Sequence, residues 1–303
     1  MQKRHEYGGI VWVDLESPSA AEVRQIESEF GIAPAISAEL LLPASKPRAE
    51  FYGSYAYVVL HFPALKHSHT AREQEVDFVI GRQFCITTHY EVIDPLHAFS
   101  KVFDVNATLD SMPLGDHAGF LFFYMVKKMY RAIEHELEFL RRELAQVEEH
   151  IFSGREVEMV SAISRSARAL LNLRQIVEPH RDVLRTLEEN GAGFFGEDFL
   201  SYLRGLSNEY YRVHNHITRA MDFLHELRET NNSLLSTKQN ETMKVLTLIA
   251  LFVLPLSFMA ELFAMDTKHM PIIGLPYDFW IVVGMMGCVS ACMFLYFRHK
   301  KWL

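Results

Sequence analysis

The spacing of hydrophobic and polar positions changes twice along the chain. In the first third, short runs of β-branched and aromatic residues alternate with stretches of helical spacing. The runs predict strands at 10–15, 55–60, 76–80 and 83–88. Helical spacing predicts one helix that opens at Ser17-Pro18 and closes at Gly31, and another over 95–103. The pattern therefore predicts a compact mixed sheet with helices packed on it.

From Asp116 onward the spacing is helical almost throughout. Apolar residues recur every three or four positions, which predicts one long amphipathic helix, at Met125, Met129, Ile133, Leu137, Leu140, Leu144, Val147 and Ile151. Ser153-Gly154 should end it, and a second helix over 156–190 should bend at Pro179. Gly191-Ala192-Gly193 predicts the next turn, after which residues 197–254 contain no proline and can form one continuous helix.

Two stretches near the end are long and apolar enough to cross a bilayer. The first, Val245 to Met265, carries Glu261 as its only charge, and the second, Phe279 to Phe297, carries none. At ~1.5 Å per residue each spans the ~30 Å hydrocarbon core or nearly so. The expected organisation is an α+β cytoplasmic domain (1–113), a long-helix region (114–196), a stalk helix that continues into the first span (197–265, the span about 245–265), an external loop (266–277), the second span (278–297) and a basic tail (298–303).

The first span carries polar residues on one side. Steps of three and four residues place one helical stripe at Asn240, Met243, Leu246, Thr247, Ala250, Leu254, Ser257 and Glu261. An ionisable side chain inside a membrane helix usually faces a bundle interior or a wet cavity. Pro255 removes a backbone donor, which is tolerated where water or a neighbour can bond the freed carbonyl. The stripe predicts a helix that lines a water-filled path.

Charge and composition narrow the function classes. The net charge of −8 argues against nucleic acid as a partner and toward cations. Basic residues flank both spans on the outer ends of the pair, at Lys238, Lys244 and the run from Arg298, which places both termini in the cytoplasm. Three cysteines and no apolar leader do not fit a secreted disulfide scaffold. Because the chain has no phosphate-binding glycine loop, G-x-S-x-G or H-E-x-x-H motif, it is not expected to be an enzyme.

Several of these segments resemble the CorA family of divalent-cation channels. The resemblance rests on the run 240–247 (NETMKVLT), Pro255 in the first span and the closing Lys300-Lys301-Trp302-Leu303. It extends to the soluble part through a strand entry and the hairpin after it, at Pro47, Arg48, Glu50, Tyr55, Tyr57, Val58, Val59, Leu60, Glu73, Gln74, Ile86 and Thr87.

The resemblance implies a funnel-shaped homopentamer in the cell (inner) membrane. Five copies of the first span would line the pore through Asn240, Met243, Leu246, Thr247, Ala250, Leu254 and Ser257. Met243 and Leu246 would form a hydrophobic gate. A basic collar at the inner mouth would come from Arg298, Lys300 and Lys301. No cofactor is implied, because the divalent ions are cargo.

The outer mouth departs from the family signature Gly-Met-Asn. The corresponding residues are Ala264-Met265-Asp266, Glu261 adds a second carboxylate, and His269 follows in the loop. Carboxylate and imidazole ligands suit Zn²⁺, so the sequence favours Zn²⁺ over Mg²⁺, with Co²⁺ and Ni²⁺ also open. The branch is open between a CmaX-like and a ZntB-like one. The alternative function is a non-conducting CorA-like membrane scaffold or metal sensor.

Other metal-like spacings have simpler interpretations. Cys288 and Cys292 lie one turn apart in the second span, beside Gly284 and Gly287, and are expected to serve helix packing. The paired histidines at 67 and 69 and at 214 and 216 are expected to be surface residues.

Overall fold

The computed structural model describes residues 2–44, 46–63, 73–109, 115–265 and 277–300, with the backbone alone for 105–109. The chain divides into two compact units, Met1–Glu229 and Thr230–Leu303. The first contains the sheet and most of the helices, and the second contains two long apolar helices.

A six-stranded mixed sheet forms the centre of the first unit. Its order is β1-β2-β6-β5-β4-β3, with β2 and β6 parallel and every other pair antiparallel. The strands are β1 (Gln2–Tyr7), β2 (Ile10–Glu16), β3 (Arg48–Tyr52), β4 (Tyr55–Pro63), β5 (Glu73–Gly81) and β6 (Phe84–His89). Each of the four runs that predicted strands therefore coincides with a strand, with Gln83 alone lying just outside β6, and the mixed sheet is confirmed.

The two edge strands, β1 and β3, were not predicted. β1 has the sequence QKRHEY, whose polar residues suit a strand at the edge of a sheet. It turns into β2 through Gly8 and Gly9, both at positive φ (59° and 78°), the conformation that a two-residue hairpin loop requires.

One face of the sheet is covered by two short helices, α1 (Ala20–Phe30) and α2 (Pro34–Glu39). α1 begins in a capping box, in which the Ser19 hydroxyl accepts from the Glu22 N–H and the Glu22 carboxylate accepts from the Ser19 N–H. It ends at Gly31 in the left-handed conformation (φ 67°). Their apolar residues join those of the sheet in one buried core, with Val13, Val59 and Ile86 among its members.

The other face carries the long helices α3 (Asp94–Leu109), α4 (Gly119–Phe152), α5 (Glu156–Val177) and α6 (His180–Phe195). All eight apolar positions that predicted the long amphipathic helix are buried in α4. Aromatic rings of this layer pack against the sheet. Phe122 of α4 contacts Phe78 of β5 edge-on, with 5.1 Å between the ring centroids.

The sequence placed the next turn wrongly. Helices α5 and α6 are separate around Pro179, and α6 runs through Gly191 and Gly193 to a turn at Gly196 (φ 101°). Gly191 allows close packing against the buried Leu203, because a Cβ at this position would lie 2.4 Å from Cδ1 of Leu203. A 3₁₀ turn, Glu197–Phe199, then leads into α7 (Leu200–Ala264).

Residues 230–264 of α7 belong to the second unit, together with α8 (Asp278–His299). Both helices are long and apolar enough to cross a membrane, and almost none of the residues in their apolar windows are buried. A core helix of a soluble protein would be mostly buried, so exposure of this kind is what a membrane span requires.

Candidate functional site

The polar stripe predicted on the first span forms one continuous exposed face of α7. All eight of its members are exposed in the single chain: Asn240, Met243, Leu246, Thr247, Ala250, Leu254, Ser257 and Glu261. Because the helix is unbroken from Leu200 to Ala264, the stripe keeps one register through Pro255.

α8 packs on the opposite side of α7. The centroid of the Phe252 ring lies 5.6 Å from that of Phe297 of α8, and Leu248, one turn before Phe252, is 8% exposed. The remaining side chains that lose exposure, which include Met259 and Phe263, lie on this same side. At about 100° per residue, the centre of the stripe lies roughly 180° around the helix from it. α8 therefore leaves the stripe free.

The stripe offers oxygen atoms along an otherwise apolar helix. The Thr247 hydroxyl donates to the Met243 carbonyl at 2.7 Å, which holds the side chain against the helix and leaves its oxygen able to accept. Pro255 has no N–H, so the Leu251 carbonyl lacks its helical donor. The carboxylate of Glu261 stands at the last turn of α7. Such groups can face water or a hydrated ion but are unfavourable against lipid tails.

The ends of the two helices carry the other residues singled out in the sequence. Ala264 and Met265 are exposed where α7 ends, and Arg298 and Lys300 are exposed where α8 ends. Asp266, His269 and Lys301 lie outside the described residues.

Within the described part of the chain, no three histidine, cysteine, aspartate or glutamate side chains already converge as a metal centre. Cys288 and Cys292 are exposed on α8. A Cβ placed on Gly284 or Gly287 would meet nothing within 4 Å, so this small-residue side of α8 does not pack against α7.

The sequence analysis did not identify two clusters of buried polar side chains in the sheet. The first joins Asp14 of β2 to His89 of β6, with 3.2 Å between Oδ1 and Nε2. Asp14 also accepts from the Thr87 hydroxyl (2.6 Å), which accepts in turn from the indole N–H of Trp12 (2.9 Å). Burial opposes ionisation of both partners. Their mutual attraction outweighs it, so the pKa of Asp14 is lowered and the pKa of His89 is raised.

The second cluster lies on the opposite face of the sheet from Asp14 and His89, where β4 and β5 extend beyond the end of β3. Nε2 of His61 lies 3.3 Å from Oε2 of Glu75, and Nδ1 lies 3.7 Å from the Glu73 carboxylate. Burial, and next the charge of Glu75, raise the pKa of Asp77 well above the ordinary value of an aspartate and so favour its protonated form. The signal in the sequence was the alternation of acids with apolar residues in EQEVDFVI, which puts Glu73, Glu75 and Asp77 on one face of a strand.

Comparison with known proteins gives one consistent result. The family model for the CorA-like Mg²⁺ transporter protein matches residues 7–299. A cobalt/magnesium transport protein, CorA, of Thermotoga maritima is 26% identical over 294 residues, which cover 96% of this chain and 83% of that protein.

Two solved structures share the fold along nearly the whole chain. The CorA magnesium transporter from Methanocaldococcus jannaschii superimposes with a TM-score of 0.84 at 18% identity, covering 97% of this chain and 92% of that one. The full-length CmaX protein superimposes with a TM-score of 0.74 at 18% identity, covering 97% and 89%. Since the family model spans all but the first few and last few of the 303 residues, this chain belongs to the CorA-like Mg²⁺ transporter family.

Proposed function

We propose that this chain forms a homopentameric channel for divalent cations, in which the stripe on α7 lines the path of the ion. The family is one of transporters, not of enzymes. The observation that carries the proposal is the exposed row of polar and small residues from Asn240 to Glu261, on the side of α7 that α8 leaves free. Further copies of α7 facing that row around a symmetry axis would enclose it and remove it from lipid.

The two ends of the path differ in chemistry. At one end Met243 and Leu246, 53% and 59% exposed in the single chain, would form an apolar constriction that closes by excluding water. Arg298, Lys300 and Lys301 would form a basic collar on the same side, and the positive-inside rule supports cytoplasmic termini for a protein of the inner membrane.

At the other end, Glu261, Asp266 and His269 would bring carboxylate and imidazole groups to the outer mouth, together with Ala264 and Met265. Five copies of two acids would supply up to roughly ten negative charges, which attract cations strongly. Carboxylates can bind a partly dehydrated ion directly, and imidazole favours Zn²⁺ over Mg²⁺. We therefore propose that Zn²⁺ passes more readily than Mg²⁺, in contrast to relatives that are named for magnesium or cobalt and magnesium.

Ion entry into proteoliposomes tests this function. The full chain, reconstituted after its native mass has been matched to five copies, should admit Zn²⁺ faster than Mg²⁺. Asp266→Asn removes one carboxylate ring and should reduce the ratio of Zn²⁺ to Mg²⁺ entry by about tenfold or more, the effect of roughly 1.4 kcal/mol of selectivity.

Asp198→Asn, which removes an exposed carboxylate from the 3₁₀ turn of the soluble unit, is the control and should leave the ratio unchanged. Mg²⁺ entry equal to or faster than Zn²⁺ entry in the wild type would remove the zinc preference but keep the channel. No entry of any divalent ion would overturn the channel and favour a non-conducting scaffold or sensor.

A further inference from the structure

A cavity of about 510 Å³ opens in the soluble unit where β4 and β5 extend past β3. β3 pairs with β4 only as far as Val59, so His61 has no strand neighbour on that side. Its backbone carbonyl accepts instead from Nε2 of the buried His180 at 2.7 Å. The His61 side chain projects on the opposite face, where it lines the cavity beside Glu73, Glu75 and Tyr90.

His61 is a buried imidazole in which one ring nitrogen lacks a hydrogen bond. The residue is 5% exposed, and Nε2 has no hydrogen-bond partner among the described residues. Oε2 of Glu75 lies 3.3 Å from it, in a geometry that does not make a hydrogen bond. The hydroxyl of Tyr90, which lines the same cavity, is also buried without a partner in the described part of the chain. A buried polar atom left in this way is costly, which points to a missing ligand.

The spacing of the two side chains suits a shared metal ion. Two ligands with bonds of about 2.0–2.2 Å to one ion stand roughly 3.0–3.5 Å apart, which brackets the observed separation of Nε2 and Oε2. The Glu75 carboxylate is already fixed, because its Oε1 accepts from the Ala44 N–H at 2.8 Å. Both ligands are therefore positioned before any ion arrives.

The other side of the ring shows the second half of a metal-binding arrangement. Nδ1 of His61 faces the Glu73 carboxylate at 3.7 Å. Metal-bound histidines commonly direct their second N–H to a carboxylate, which fixes the tautomer that offers Nε2 to the metal. The Glu73 side chain is more than half exposed and can move the short distance to that contact. The cavity has room for the water molecules that would complete the coordination.

We propose that His61 and Glu75 bind a divalent transition-metal ion of the Zn²⁺ or Co²⁺ class in the soluble unit, with Glu73 orienting the imidazole. Mg²⁺ does not fit this ligand set, because it prefers oxygen ligands in octahedral geometry whereas imidazole suits Zn²⁺ and Co²⁺. The site belongs to the sheet of the first unit and shares no residue with the α7 stripe, so it does not depend on the proposed conduction of ions.

Anomalous diffraction from crystals of the full wild-type chain grown with Zn²⁺ tests the site without any substitution. Data collected above and below the zinc absorption edge should give a peak between His61 Nε2 and Glu75 Oε2, about 2.0–2.3 Å from each atom. Absence of a peak there at saturating Zn²⁺ would overturn the proposal and leave a simple histidine–carboxylate contact.

Zinc binding in solution gives an independent measurement on the detergent-solubilised full chain. By equilibrium dialysis with Zn²⁺, both His61→Gln and Glu75→Gln should lose one bound ion per chain, and excess Mg²⁺ should not displace that ion from the wild type. His97→Gln, which removes an exposed histidine of α3, should lose none. Unchanged stoichiometry in a folded His61→Gln protein would contradict the proposal, and if that variant does not fold, the anomalous peak decides.

Discussion

At the residue scale, the sequence identified polar side chains far better in the membrane spans than in the sheet. Glu261 was conspicuous because it is the only charge in a long apolar run. Asp14 and His89 were not, because a single acid or histidine in a strand is as compatible with a solvent-facing position as with a buried one. Whether such a side chain is buried depends on the helices that cover the sheet, and the packing of those helices cannot be inferred from the local spacing of apolar residues.

The Asp14–His89 pair predicts a specific dependence of stability on pH. The folded pKa of His89 is raised, so its contribution is complete below its unfolded value of about 6.5 and is lost as the pH rises through the folded pKa. The folded pKa of Asp14 is lowered, so its contribution is complete above about 3.8 and is lost as the pH falls further. His89→Gln should therefore destabilise the protein most between about pH 4 and 6.5, on the order of 3 kcal/mol for a broken buried pair, and less at pH 9.

Melting temperatures of the full chain in detergent across this range check the prediction. Glu16 and Lys3, the other charged groups that act on the pair, remain in the variant, and the exposed His97→Gln supplies the baseline. A difference between wild type and His89→Gln that stays constant from pH 5 to 9 would show that the two side chains are not an ion pair.

At the element scale, periodicity predicted the long helices and the central strands, because burial on one face imposes a regular spacing on them. It failed for β1, β3 and α2, which have only five or six residues each and are too short to show a periodic pattern. It also failed at Gly191-Ala192-Gly193, which lies inside α6. The low helix propensity of glycine predicted a turn here. The close packing of Gly191 against Leu203 explains why one of the two glycines lies in the helix.

That packing predicts unequal effects for the same change at two glycines of α6. Gly191→Val would drive a branched side chain into the buried Leu203 and should cost about 1–3 kcal/mol of stability. Gly193→Val adds the same atoms at an exposed position with nothing within 4 Å, and its effect should stay within about 0.5 kcal/mol. Thermal unfolding of the two variants in detergent measures this. Equal melting temperatures would mean that α6 does not pack against Leu203 as described.

At the scale of the whole molecule, one chain of the proposed channel would form only one side of the ion path. The stripe faces away from α8, so a single copy would leave Asn240, Thr247, Ser257 and Glu261 against lipid. Fold and family followed from the sequence because the spans and the run 240–247 are distinctive. Selectivity did not, because the proposed mouth would be built from several copies and would include residues beyond those the structure describes.

The most direct test of a conducting stripe compares two cysteines one turn apart on α7. In a Cys288→Ser, Cys292→Ser background, Ser257→Cys places a thiol on the stripe, and Ala260→Cys places one on another exposed side, about 100° around the helix from the centre of the stripe. A positively charged methanethiosulfonate reagent, added to proteoliposomes from the side of the proposed outer mouth, should block divalent-cation entry through Ser257→Cys and leave entry through Ala260→Cys unchanged. Equal block of both variants, or no block of a Ser257→Cys protein that still conducts, would contradict a path along the stripe.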